Sequence, residues 1–221
     1  MGSITRSLSN NITTSGVILP AGITNSSVSA VTSFANASGG TLTLLSTQTA
    51  SASATISFTT GLDSTYDEYI FKFINIHPSV DDSYFQFNGS TDGGSNYNVT
   101  KTTETFRAAH NEAGTDTGFG YTTADDLAQS TAFQTLIHSG CIGFDNDQNC
   151  GGYLQIFNPS SSTYLKHFLC HSTSTHQSDY NITFYMGGYL NTTSPVNAIQ
   201  FKFASGNIDD GIIKLYGVKK S

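Results

Sequence analysis

The chain has 221 residues and a formal net charge of −7, and only 11% of it is Asp, Glu, Lys or Arg, less than half the usual share of a soluble domain. That balance excludes a phosphate-tracking nucleic-acid surface, which needs clustered Lys and Arg, and docking onto anionic lipid. No apolar run reaches the length of a membrane-spanning helix, so no membrane insertion is expected. Ser (29) and Thr (30) fill the gap, with 15 Phe and 11 Tyr. Thr, Phe and Tyr favour strands, Ser favours turns, and strong helix formers are scarce, so the composition predicts an all-β protein.

From Met1 to Thr65 the only charged residues are Arg6 and Asp63. Residues 1–40 mix short apolar runs (Gly16 to Pro20, Val28 to Phe34) with Ser, Thr, Asn and Gly, and no period of 2 or 3.6 persists. An uncharged, partly apolar, irregular segment suits an extended assembly arm laid on another subunit; a floppy terminus is the alternative. Residues 2–20 hold one positive charge and no continuous apolar h-region, so no signal peptide is expected. The N-x-[ST] sequons at Asn11, Asn25, Asn36, Asn88, Asn98, Asn181 and Asn191 then reflect composition, not glycans. Met1-Gly2 lacks a myristoylation motif because Arg6 stands where Ser or Thr is needed.

The period-2 pattern begins at Thr41 and predicts a β-sandwich over residues 41–221. Strands are expected at Thr41–Leu44, Ala54–Phe58, Tyr69–Ile76, Tyr84–Phe87, Thr103–Ala108, Phe119–Thr122, Gln134–His138, Tyr153–Phe157, Tyr164–Cys170, Ile182–Tyr189, Ala198–Phe203 and Ile212–Val218. Tyr69–Ile76 would carry Tyr69, Phe71 and Phe73 on one face and Ile70, Ile74 and Ile76 on the other, which makes it a central or covered strand. His77-Pro78 stops it. A short helix is expected over Ala124–Leu136, capped by Asp125 or Asp126. The Gly39-Gly40, Gly93-Gly94, Gly151-Gly152 and Gly187-Gly188 pairs read as turns or bulges. Strands every 10 to 20 residues, separated by Gly, Asn and Asp, predict a Greek-key sandwich of jelly-roll type.

No set of residues converges on chemistry. Asp145-Asn-Asp-Gln-Asn149 alternates oxygen side chains as calcium loops do, but Cys150 and Ile156 replace the Gly and Glu of an EF-hand, so an ordinary polar turn is expected. His167 and His171 would share a strand face about 13 Å apart, too far for one metal ion, with Cys170 opposite and His176 in the loop beyond. The acidic pairs Asp67-Glu68, Asp81-Asp82, Asp125-Asp126 and Asp209-Asp210 fall on expected turns and are read as solvated, not as a glycosidase pair. No nucleophile elbow is present. Cys141, Cys150 and Cys170 form no CxxC unit and read as buried free thiols, with a Cys141–Cys150 bridge as the alternative. Tyr97, Tyr121 and Tyr180, on expected loops, could stack a sugar, although packing is the commoner role. The expectation is a non-enzyme without catalytic residues, cofactor or metal.

The closing stretch, from Ala204 through Ser205-Gly-Asn-Ile-Asp-Asp-Gly-Ile-Ile-Lys-Leu-Tyr-Gly-Val218, resembles the strand that ends a β-sandwich in virion structural proteins of tailed bacteriophages. Tyr69–Tyr97, with Asn75-Ile-His-Pro78 and Asp92-Gly-Gly-Ser-Asn-Tyr97, looks like the same group, notably from marine phages. The resemblance covers roughly residues 65–221. It implies a tail fibre, tail appendage or capsid decoration protein, made in the host bacterial cytoplasm and residing in the virion. It implies partners too: other copies of the chain, as a trimer, and other virion proteins. A carbohydrate-binding, lectin-like module recognising a host surface glycan is the alternative function.

Overall fold

A computed structural model describes residues 41–138 and 142–219, with the backbone of two short strands before them. The chain falls into two units, Met1–Gly39 and Gly40–Ser221. In the first, β1 (Ile12–Thr13) and β2 (Gly16–Val17) pair antiparallel. The expected arm otherwise lies outside the described residues, as do Gly39-Gly40 and Cys141.

The second unit is an antiparallel β-sandwich. Its strands are β3 (Leu42–Ser53), β4 (Ile56–Phe58), β5 (Glu68–Pro78), β6 (Phe85–Ser90), β7 (Lys101–Asn111), β8 (Thr117–Tyr121), β9 (Gln134–Ile137), β10 (Cys150–Phe157), β11 (Lys166–His176), β12 (Tyr180–Leu190), β13 (Ala198–Phe203) and β14 (Ile208–Val218). Each strand expected from the period-2 pattern has its counterpart here. An 8-stranded sheet runs β3-β14-β5-β10-β11-β12-β7-β8, and a 4-stranded sheet runs β4-β13-β6-β9. The small sheet is half as wide as the large one, so loops must cover part of the large sheet's inner face.

Phenylalanines fill the space between the sheets. Phe201 of β13 lies 5.3 Å from both Phe71 and Phe73 of β5, and touches Phe58, Phe85 and Phe87 of its own sheet. Most of these contacts are edge-to-face or tilted, the geometry that the ring quadrupole favours. β5 is central as expected, between β14 and β10. Its faces differ from expectation at one point: Asn75 adopts a positive φ of 51° inside a bulge against β14, so the alternation slips and Ile76 turns into the core. Gly211 crosses this bulge with φ 125°, where a Cβ would come within 2.7 Å of Asn75 O.

The helix expected over Ala124–Leu136 does not form. Only the 3-10 turn Thr123–Asp125 is helical, because the backbone that follows bonds sideways to β7. Leu127 O accepts from Thr103 N, and Ser130 and Lys101 exchange both of their backbone hydrogen bonds. The Asp125 side chain turns inward to His138 instead of capping. The Gly187-Gly188 pair also departs from expectation. It lies inside β12, in unbroken register on both sides, where a Cβ on Gly188 would press on Thr102 O, Thr103 and Phe168.

Among the described residues two lysines are fully buried. Lys166 and Lys101 flank Leu190 on neighbouring strands. Lys101 Nζ donates to Ala132 O at 2.6 Å, and Lys166 Nζ donates to Tyr164 O and Thr192 O, each at 2.9 Å. Among the described residues no carboxylate pairs with either. Burial favours the neutral amine and pulls Lys101 down to about 7, with Lys166 shifted the same way. Cys150 and Cys170 are buried and free, and burial pushes Cys170 up to about 12 and Cys150 further.

Truncating Phe201 to Ala removes the ring shared by both sheets and should cost about 3–5 kcal/mol in urea unfolding; a loss below 1 kcal/mol would contradict its central place. For Lys101, the unfolded chain holds a proton between about pH 7 and 10.5 that the folded chain lacks, so stability should rise with pH across that window. Lys101→Met should flatten the rise in urea midpoint between pH 7 and 10. An equal slope in both proteins would show that Lys101 does not titrate there.

Candidate functional site

The outer face of the 8-stranded sheet carries a row of aromatic side chains that no single segment of sequence contains. Alternation places Tyr153, His171, Tyr185, Phe106 and Tyr121 outward, each on a different strand, while neighbours such as Leu154, Cys170, Phe184 and Thr105 enter the core. Register then aligns them. Tyr153 pairs with His171, His171 with Tyr185, Tyr185 with Phe106, and Phe106 with Tyr121. Four strand spacings of about 4.8 Å make the row about 19 Å long. Beyond Tyr153 it reaches Lys72 of β5.

The rings stack on one another. His171 and Tyr185 lie 4.4 Å apart with planes at 14°, and Tyr185 and Phe106 lie 5.1 Å apart at 11°. Near-parallel rings this close must meet face to face, since side by side they would interpenetrate. Their faces are therefore spent on each other and their edges point to solvent. Tyr153 closes one end at a right angle to His171, and Phe119 tilts against Phe106 at the other. Leu169, half exposed, sits beside the row, and Gly187 leaves room for the Glu104 carboxylate next to it. The face is apolar and thinly charged over an extent that isolated surface hydrophobics do not reach.

A second feature lies on the inner side of the β7–β8 corner, a cleft of about 470 Å³ lined by Arg107, Gly118, Gly120, Tyr121, His176 and Tyr180 among others. Added Cβ atoms on Gly118 and Gly120 would meet nothing within 4 Å. Tyr180 Oη donates to Asp116 at 2.8 Å and Tyr121 Oη to Asp126, and these carboxylate bonds raise both phenols above their usual range. His176 Nδ1 accepts from Ser178 N, and burial lowers the imidazole's affinity for a proton.

The other expected positions are dispersed. His167 and His171 both face outward with Cys170 opposite, as expected, whereas His176 ends β11 and is not in a loop. Asp145–Asn149 forms a turn in which Asp145 O accepts from Gln148 N. Among the described residues no group of three or more His, Cys, Asp or Glu is placed to hold a metal ion. Tyr121 and Tyr180 share the cleft, but Tyr97 lies elsewhere, over Gly94. Asp209-Asp210 sits within β14, and Glu68 opens β5, so these two pairs are not turn pairs. Asp125 is buried, not solvated; it meets His138 Nδ1 at 2.6 Å, and burial raises its carboxyl above the usual range despite that bond. Its second oxygen is buried with no hydrogen-bond partner among the described residues.

The aromatic row was open to sequence reasoning only in part. Each member shows as an aromatic or His in the solvent phase of its strand, but alignment into one row depends on the register of five strands. Compared with known proteins, the chain matches no family model, no curated protein and no solved structure.

Proposed function

We propose that this chain is a structural component of a tailed-phage virion, a tail fibre, appendage or capsid decoration protein. It acts by assembly: the outer face of its 8-stranded sheet seats on a neighbouring virion subunit, and residues 1–40 reach adjacent copies. It is made in the host bacterial cytoplasm and ends in the particle. The observation that carries the assembly reading is the orientation of the aromatic row. A sugar stacks its C–H face on the face of a ring, and here His171, Tyr185 and Phe106, the middle of the row, turn their faces to one another. A corrugated surface of ring edges, flat over about 19 Å and nearly uncharged, suits packing against another protein surface.

Two further points support the reading. The closing strand carries the resemblance to virion proteins, and it lies beside the unit's first strand in the large sheet. The strand orders β3-β14-β5-β10 and β4-β13-β6-β9 agree with the double Greek-key order of a jelly roll and so support a jelly-roll reading of the sandwich. On that reading the β7–β8 and β11–β12 hairpins are additions that widen one sheet, and they carry four of the five members of the row.

The cleft at the β7–β8 corner favours a second reading, a lectin-like module, because it is concave and brings two tyrosines beside a carboxylate and a guanidinium. The two readings separate experimentally. In lysates of cells producing the phage that encodes it, the wild-type protein should band with intact particles in a density gradient. The double variant Phe106→Ser/Tyr185→Ser should fold, by circular dichroism, and remain at the top. Normal banding of the variant, or wild-type protein that never bands with particles, would overturn the assembly proposal. Saturable binding on a glycan array, lost in Tyr180→Ala, would favour the cleft instead.

A further inference from the structure

Among the described residues the sandwich has four sheet edges, and three of them are protected by shortness. β8 has 5 residues, β4 has 3 and β9 has 4. The fourth edge, β3, runs for 12 residues, Leu42–Ser53, or about 40 Å. Edges of such length are normally blunted by Lys, Pro, inward charges or bulges, since unpaired N–H and C=O groups template another strand. β3 contains no charged residue, no Pro and no Gly. Its one register shift against β14 falls between Leu44 and Ser46. From Ser46 to Ser51 the register is unbroken, and Thr47, Gln48, Thr49 and Ser51 are exposed.

We propose that β3 pairs antiparallel with β3 of a second copy, across a two-fold axis within Ser46–Ser51, joining two 8-stranded sheets edge to edge. The occupant follows from symmetry and charge. In an antiparallel self-pair each residue near the axis meets itself or a close neighbour, so a charge there would face its own like. A strand free of charge is what self-pairing requires. The rest of the chain discourages contact between copies, because its net charge is −7, while only Asp63 is charged between Thr41 and Thr65. Thr, Gln and Ser side chains opposite one another can exchange hydrogen bonds across the joint. The pair has two-fold symmetry, where the resemblance to phage appendages implies a trimer.

The pairing shares with the proposed function the premise that the chain works by assembly, but it uses a different surface and is tested on the purified full chain. Sedimentation equilibrium should give the mass of two chains, little changed by added salt. Thr49→Lys, at an exposed position opposite Ile212, should give the mass of one chain with an unaltered circular dichroism spectrum, and Thr49→Ser should retain the pair. Phe106→Ser/Tyr185→Ser should also retain it. Should Thr49→Lys fold poorly, amide exchange in wild type serves instead, with those amides of Thr47–Ser51 that point away from β14 protected when paired and exposed on dilution. A wild-type mass of one chain, a pair that survives Thr49→Lys, or amides indifferent to dilution would overturn the pairing. Single-chain protein that still bands with particles would remove the pairing and leave the proposed function standing. Paired protein that never bands with them would do the converse.

Discussion

The sandwich depends on one packing contact, the meeting of Phe201 with the phenylalanines of β5. That ring belongs to the small sheet, and at 5.3 Å from Phe71 and Phe73 it couples that sheet to the middle of the large one. Four narrow strands would not by themselves hold eight. They do so because the aromatic volume concentrates on β5, β6 and β13, where the two sheets face each other. Burial of several large rings in one place supplies most of the driving force for closing the layers.

Once the inner face is settled by those rings, the outer face follows from the pleat. A strand has no freedom to present a residue on the other side without a register slip or a bulge. Asn75 shows how local the exception is: one residue with positive φ turns Ile76 inward, and Gly211 alongside makes room for it. The aromatic row has no such irregularity along it. Its straightness comes from continuous pairing of β11 with β12 and of β12 with β7 over their full lengths. The same regularity places Glu104, Leu169 and His167 beside the row.

The strands were legible because alternation of apolar and polar residues is a local signal, and it survives in β13 from Ile199 to Phe203 without a single exception. The helix expected at Ala124–Leu136 failed because a backbone that can bond to itself can equally bond to a neighbouring strand. Thr103 and Lys101 offered that neighbour from more than twenty residues away. Burial of Asp125, Lys101 and Lys166 was illegible for the same reason. Nothing within a few residues of Lys101 distinguishes it from a solvated lysine, and its partner Ala132 O arrives through the fold. The candidate surface lay between these cases, with each ring visible in its own strand and their alignment visible only in register.

The buried thiols carry a consequence for chemistry over time. Oxidation and alkylation of cysteine proceed through the thiolate. A thiol held near 12, like Cys170, offers almost none of it at neutral pH, and Cys150 offers less. Both side chains face the core, out of reach of dissolved oxidants. At these two positions the folded chain therefore keeps the same covalent structure in reducing and in oxidising surroundings. Its core acquires no crosslink there that has to be made, and has none there that a reductant could undo.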